Sequence, residues 1–171
     1  YAKKILNLRQ WDAVDAPVSP ADRGSLLHGL FERFIAAKDH QKPDAARRFM
    51  ALADEMKQER PGGEALLTFW RARLEAIADW LAANEQTRAA HVTESHVELT
   101  GSLRLDLKSG PFTITAKADR IDALADGGFE IIDYKTGQAP SGKKVKNHES
   151  PQLTLEAAIL RGGGFATPKG V

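Results

Sequence analysis

The residues best suited to chemistry stand late in the chain, in Ile131-Ile132-Asp133-Tyr134-Lys135-Thr136-Gly137. Along a strand successive side chains alternate between faces, so Asp133 and Lys135 point the same way, about 6–7 Å apart, and Ile132 and Tyr134 point into packing. An acid and a lysine at the end of an otherwise apolar strand are costly to bury without a purpose. The carboxylate can hold a divalent cation, while the ammonium can orient or deprotonate a water and balance charge on a phosphate. Taken alone, Asp-x-Lys reads first as a partly exposed salt bridge at a strand end.

Other residues change that reading. Upstream, Ala116-Lys117-Ala118-Asp119-Arg120-Ile121-Asp122 places a second acid at a strand end, and the Asp126-Gly127-Gly128 turn predicts a hairpin that sets Asp119 beside Asp133. Two facing carboxylates repel unless a cation lies between them. Asp122, expected beyond the strand, reads as a structural turn acid paired with Arg120. His28 adjoins the apolar stripe of a helix, whereas His40, His91, His96 and His148 have no comparable setting. Gln152 falls in a first helical turn, where free N–H groups and the helix dipole favour anions, and Glu156 lies one turn on upon the same face. Between Gly137 and Ser150, Lys143, Lys144 and Lys146 face one acid, Glu149. Such a loop suits a nucleic-acid backbone, with a solvated surface the equal alternative.

The elements that must position these residues are legible from periodicity. Ser19 and Pro20 read as N-cap and first residue of a helix carrying Leu27, Leu30, Phe31, Phe34 and Ile35 on one face. A second helix is expected from Ala45 to Arg60, stopped by Pro61-Gly62-Gly63, and a third from Glu64 to Asn84 with a stripe of Leu66, Trp70, Leu74, Ile77 and Leu81. Trp70 and Trp80 on that helix read as core anchors before base-stacking platforms. The period then changes to two, predicting a long strand around Val97 to Leu107, a second over Phe112–Ala118 and a third over Phe129–Lys135. Ser150-Pro151 opens a last helix, to about Leu160, ended by Gly162-Gly163-Gly164. Helices, three strands and a helix make an α+β (mixed α/β) layer.

Composition narrows the classes. The 171 residues, 42% hydrophobic and 27% charged, fit one globular domain and exclude a disordered or collagen-like chain. No apolar run approaches the ~20 residues a membrane-spanning helix needs. With no cysteine, disulfides, thiol catalysis, zinc–thiolate sites and iron–sulfur clusters are excluded, and any metal must sit on oxygen and imidazole ligands. A net charge of +1 means that any polyanion site is built locally. The expected division is a lead-in over residues 1–17 and one domain over 18–171, an excised piece of a longer chain with a shortened C-terminal end.

In order, Gly24-x-x-x-His28, Ala118-Asp119-Arg120-Ile121-Asp122, Asp133-Tyr134-Lys135-Thr136-Gly137 and Gln152 resemble the RecB-family branch of the PD-(D/E)XK nucleases, over roughly Ala21 to Leu160. YAKKILNLR, ADRGSLLHGLFERF and PQLTLEAAIL further resemble the C-terminal nuclease domain of the AddB subunits of AddAB helicase–nucleases, which process double-strand DNA breaks for recombinational repair. The resemblance implies a restriction-endonuclease-like core: a helical N-terminal half, a mostly antiparallel three-stranded sheet, then a helix packed on the sheet. It implies that His28, Asp119 and Asp133 bind Mg²⁺ or Mn²⁺ with the backbone carbonyl of Tyr134. Lys135 would position the attacking water, and Gln152 would orient DNA or that water. The implied activity is a metal-dependent deoxyribonuclease, an exonuclease, acting on DNA with single-stranded ends beside an AddA-like partner subunit, in the cytoplasm and off the membrane. Lys143, Lys144, Lys146 and Glu156 are the expected DNA contacts. Glu156 stands where the family usually has a tyrosine, Lys117 and Ala118 where a glycine is frequent, and the four cysteines by which many relatives hold an iron–sulfur cluster are absent. The alternative is a catalytically silent DNA-binding scaffold of the same fold, against which the intact Asp119, Asp133 and Lys135 weigh.

Overall fold

A computed structural model describes residues 20–57, 59, 63–135 and 137–166. The lead-in over 1–17, the cap at Ser19, the Pro61-Gly62 stop and Thr136 lie outside the described residues, as do the side chains of Asp22 and Leu66. Helix α1 runs Pro20–Ala36, a 3-10 turn Asp39–Gln41, α2 Ala45–Met56 and α3 Gly63–Arg88. Strands β1 (Val92–Leu107), β2 (Gly110–Leu124) and β3 (Phe129–Ile132) follow, then α4 (Gly142–Lys146) and α5 (Gln152–Arg161).

The helical half forms because its apolar residues recur on single faces. Leu26, Leu27, Leu30, Phe31, Phe34 and Ile35 of α1 close over Phe49, Ala53 and Met56 of α2 and Leu74, Ala78 and Leu81 of α3. Phe49 is fully buried, and each such side chain contributes about 1.5–3 kcal/mol. Trp70 packs against this core from its margin. Trp80 does not anchor it: the ring is 63% exposed, because Leu81, four residues after Ile77, takes the inward position instead.

The sheet is a meander in the order β1-β2-β3, antiparallel throughout. Leu107 pairs with Gly110 across a two-residue turn, and the ladder runs back to Glu94 opposite Ala123 and, past a shift of register, to Val92 opposite Leu124. A second core cluster, Ala118, Ile121, Ile159, Leu160 and Phe165, packs α5 on the sheet. The glycines on either side of this packing are required by close approach. A Cβ on Gly164 would lie 2.1 Å from the Ser102 carbonyl oxygen, and one on Gly101 would meet the Phe165 ring at 2.5 Å.

Several boundaries differ from the sequence expectation. Helix α2 ends at Met56, and α3 continues to Arg88. Both long strands reach further: β1 begins at Val92, and β2 passes through Asp122 to Leu124. Asp122 is therefore inside the strand, fully buried, though paired with Arg120 as expected. Strand β3 stops at Ile132, so Asp133 and Lys135 stand just past the ladder. The lysine loop contains a helical turn, α4, capped by Ser141 Oγ accepting from the Lys144 N–H at 3.4 Å. Pro151, not Ser150, is the N-cap of α5. No helix among the described residues is long and apolar enough to cross a membrane.

Candidate metal centre and active site

The site forms where α1, the middle of the sheet, the end of β3 and the start of α5 meet. Val97↔Arg120 and Leu99↔Ala118 bracket Glu98 and Asp119, which therefore stand opposite each other on β1 and β2. Glu98 has a left-handed backbone, φ 55°, which costs a non-glycine residue about 1–3 kcal/mol and is characteristic of functional positions. His28, on the face of α1 that also presents Phe31, brings Nδ1 to 3.3 Å from Asp119 Oδ2. One ligand atom each from His28, Glu98 and Asp119 lie within 4.8 Å of one another. An imidazole nitrogen and two carboxylate oxygens are the hard-to-borderline donors that suit Mg²⁺ or Mn²⁺. The residues present fit such an ion.

The β2–β3 register, which ends at Arg120↔Ile132, makes Asp133 the next residue opposite Asp119. Asp133 is outside the three-residue donor group; its Oδ1 accepts from Lys135 Nζ at 2.7 Å and from Gln152 Nε2 at 2.8 Å. Lys135 also donates to Gln152 Oε1 at 3.0 Å, which closes a ring of three side chains. The Asp133 side chain is 8% exposed and that of Lys135 38%, so the acid is sheltered while the ammonium reaches solvent. The Tyr134 amide N–H donates to Asp119 Oδ2 at 2.9 Å and ties the two acidic segments together.

Glu156 lies beneath this ring, 2% exposed, with Oε1 accepting from Gln152 Nε2 at 3.2 Å and Oε2 without a partner. Burial, reinforced by the facing Asp133 and Asp119, pushes its carboxyl above the usual carboxylate range. Its position inside the protein removes it from the surface where a DNA contact was expected. Lys143, Lys144 and Lys146 are exposed on α4.

Sequence reasoning missed two things. Glu98 could have been found by counting back from the Lys108-Ser109 turn, since the hairpin register sets it opposite Asp119. A set of buried charges was also missed. Arg120, fully buried, is forked onto Glu85 of α3 with bonds of 2.8 and 2.9 Å and bonds Asp122 at 2.7 Å, while Arg88 of α3 pairs with Asp122 and Glu130. Burial opposes the charge on Arg120, but these carboxylates outweigh it and hold the guanidinium protonated. Burial alone would raise Asp122, yet the bonds from Arg120 and Arg88 hold it below the usual carboxylate range. His40, which sequence assigns no role, is buried in the helical core, and desolvation lowers its pKa.

With this fold and donor set in place, the comparison with known families is direct. Residues 1–171 match the PD-(D/E)XK nuclease superfamily, and the chain belongs to it. Its α+β architecture, with a three-stranded antiparallel sheet between helices, is the restriction-endonuclease-like fold of that superfamily, whose members are nucleases that use divalent metals. Similar proteins include uncharacterized proteins of Rickettsia conorii (28% identical over 170 residues), Rickettsia typhi (27% over 170) and Rickettsia felis (29% over 175). Each alignment covers 96% of this chain and 20% of the relative, so the chain spans about a fifth of the length of these relatives. No solved structure matches the chain significantly.

Proposed function

We propose that this chain is the nuclease domain, over residues 18–171, of a RecB-type, AddB-like enzyme that hydrolyses phosphodiester bonds of DNA at broken ends. The observation that carries the reading is the meeting of His28, Glu98 and Asp119 within 4.8 Å, beside the Asp133–Lys135–Gln152 ring. Glu98 joins the ligands expected from sequence, His28, Asp119, Asp133 and the Tyr134 carbonyl. A divalent ion bound there supplies Lewis acidity toward the phosphate and activates water.

The chain's own residues do the rest. Lys135, held by Asp133 and Gln152, presents its ammonium where it orients the attacking water and balances charge developing on the phosphate. Gln152 fixes the direction of that ammonium through Oε1 and steadies Asp133 through Nε2. The exposed lysines of α4 track the backbone of a single-stranded end. An AddA-like helicase–nuclease subunit, exonucleolytic action and a role in recombinational repair complete the proposal.

The test is cleavage of end-labelled single-stranded DNA with Mg²⁺ or Mn²⁺. Wild type should degrade it, and Asp133→Ala or Lys135→Ala should lose at least about 10²-fold in rate. DNA binding without cleavage by the wild type would favour the silent scaffold instead. Equal cleavage by wild type and variants would remove Asp133 and Lys135 from the reaction.

A further inference from the structure

The buried charges behind the site have so far no part in the reaction. Arg120 uses its fork on Glu85 and Asp122, adds Ser95 Oγ at 3.3 Å, and sends one further bond out of this cage, Nη1 to the Tyr134 hydroxyl at 3.2 Å. Tyr134 stands between Asp133 and Lys135, past the last ladder pair of β3, so the sheet itself does not fix it. Its ring, hydroxyl and amide do so instead. The ring stacks on Phe31 of α1, with centroids 4.2 Å apart and planes 6° from parallel. The hydroxyl meets Arg120, and the amide N–H donates to Asp119 Oδ2.

We propose that Arg120 is a positioning residue for the cleavage reaction: from its buried cage it holds the Tyr134 hydroxyl, and through Tyr134 it fixes the segment bearing Asp133 and Lys135 and the orientation of the Asp119 carboxylate. Lysine cannot substitute, because the role needs a planar fork that binds Glu85 with two donors and still has others for Asp122 and Tyr134. The effect on cleavage rests on the nuclease reading above; the effect on geometry does not.

Tyr134→Phe in the intact protein separates the two. It keeps the ring and its stack on Phe31, removes the hydroxyl, and leaves Arg120 bonded to Glu85 and Asp122. Exchange of the Tyr134 amide hydrogen should accelerate about tenfold while amides within β1 and β2 keep their protection. The Mn²⁺ concentration needed for half-maximal cleavage should rise, and kcat fall, by about tenfold, the scale of losing a group that orients metal ligands. KM for DNA should not change. Arg120→Lys should show the same exchange and metal effects. Unchanged exchange at Tyr134 in the Phe variant overturns the proposal, whatever happens to cleavage. If the wild type neither binds Mn²⁺ nor cuts DNA, the nuclease reading fails, and accelerated exchange still upholds the positioning of Asp119 by Arg120 through Tyr134.

Discussion

Glu98 and Asp119 meet across the hairpin with His28 over them, and each has a distinct consequence if removed. Asp119 accepts the Tyr134 amide and approaches His28, so Asp119→Ala should abolish cleavage yet leave DNA binding largely intact, read by filter binding beside the cleavage assay. A variant that still cuts at a comparable rate would take Asp119 out of the metal shell. Glu98→Gln keeps the side-chain shape but removes a charged donor, and should weaken Mn²⁺ binding about 10–100-fold by calorimetric titration. Unchanged affinity would leave Glu98 as no more than the partner of Lys117. At this scale the sequence is informative where a short motif carries the chemistry: Asp133 and Lys135, two residues apart, bond each other, and Gln152 of α5 joins them in one hydrogen-bonded ring. Glu98 escapes because its partner is fixed by hairpin register rather than by a neighbouring motif. Glu156 is buried and not at the surface, and helical position alone does not show that α5 turns that side inward.

Among the elements, β2 and α3 are joined by charge, Arg120 and Asp122 of the strand pairing with Glu85 and Arg88 of the helix. Glu85→Ala would leave Arg120 buried and short of its main counter-ion, and should destabilise the domain by about 3–5 kcal/mol in urea unfolding. A loss under about 1 kcal/mol would mean that the cage contributes little. The same pairing explains why periodicity ends β2 at Ala118, too early. Arg120 and Asp122 look like turn residues in sequence, and only partners contributed by α3 make them tolerable inside a sheet. Helix α4 is hidden for a different reason: five residues with three lysines carry no periodicity, and the Ser141 cap is the sole local signal. Replacing Lys143, Lys144 and Lys146 by alanine should weaken DNA binding and flatten its dependence on salt, by about 0.7 for each phosphate of a single strand that is no longer neutralised. An unaltered salt slope would assign those lysines to solvent.

For the molecule as a whole, the helical core and the α5–sheet core are readable from apolar periodicity, and the order of elements follows from it. What periodicity cannot give is the charged layer between them, and that layer contributes to the response to acid. Asp122 holds its proton less tightly in the folded protein than in the unfolded chain. The unfolded state therefore binds more protons as pH falls. The stability from Asp122 is fully present above about pH 5 and is lost as pH drops through the ordinary carboxylate range of about 4 toward its lower folded value. Urea midpoints measured from pH 7 down to pH 3 should fall for wild type and fall less steeply for Asp122→Asn. Parallel curves would show that Asp122 is not the group being titrated.

If His28, Glu98 and Asp119 surround one divalent ion at the mouth of a DNA-cutting site, crystals soaked in Mn²⁺ will reveal it by anomalous diffraction at the manganese edge. The expected peak lies between the His28 ring, Glu98 and Asp119, within about 2.0–2.4 Å of their donor atoms and beside Asp133. Manganese bound elsewhere, or no peak among these residues while the protein remains folded, would refute the metal site and the nuclease chemistry built on it.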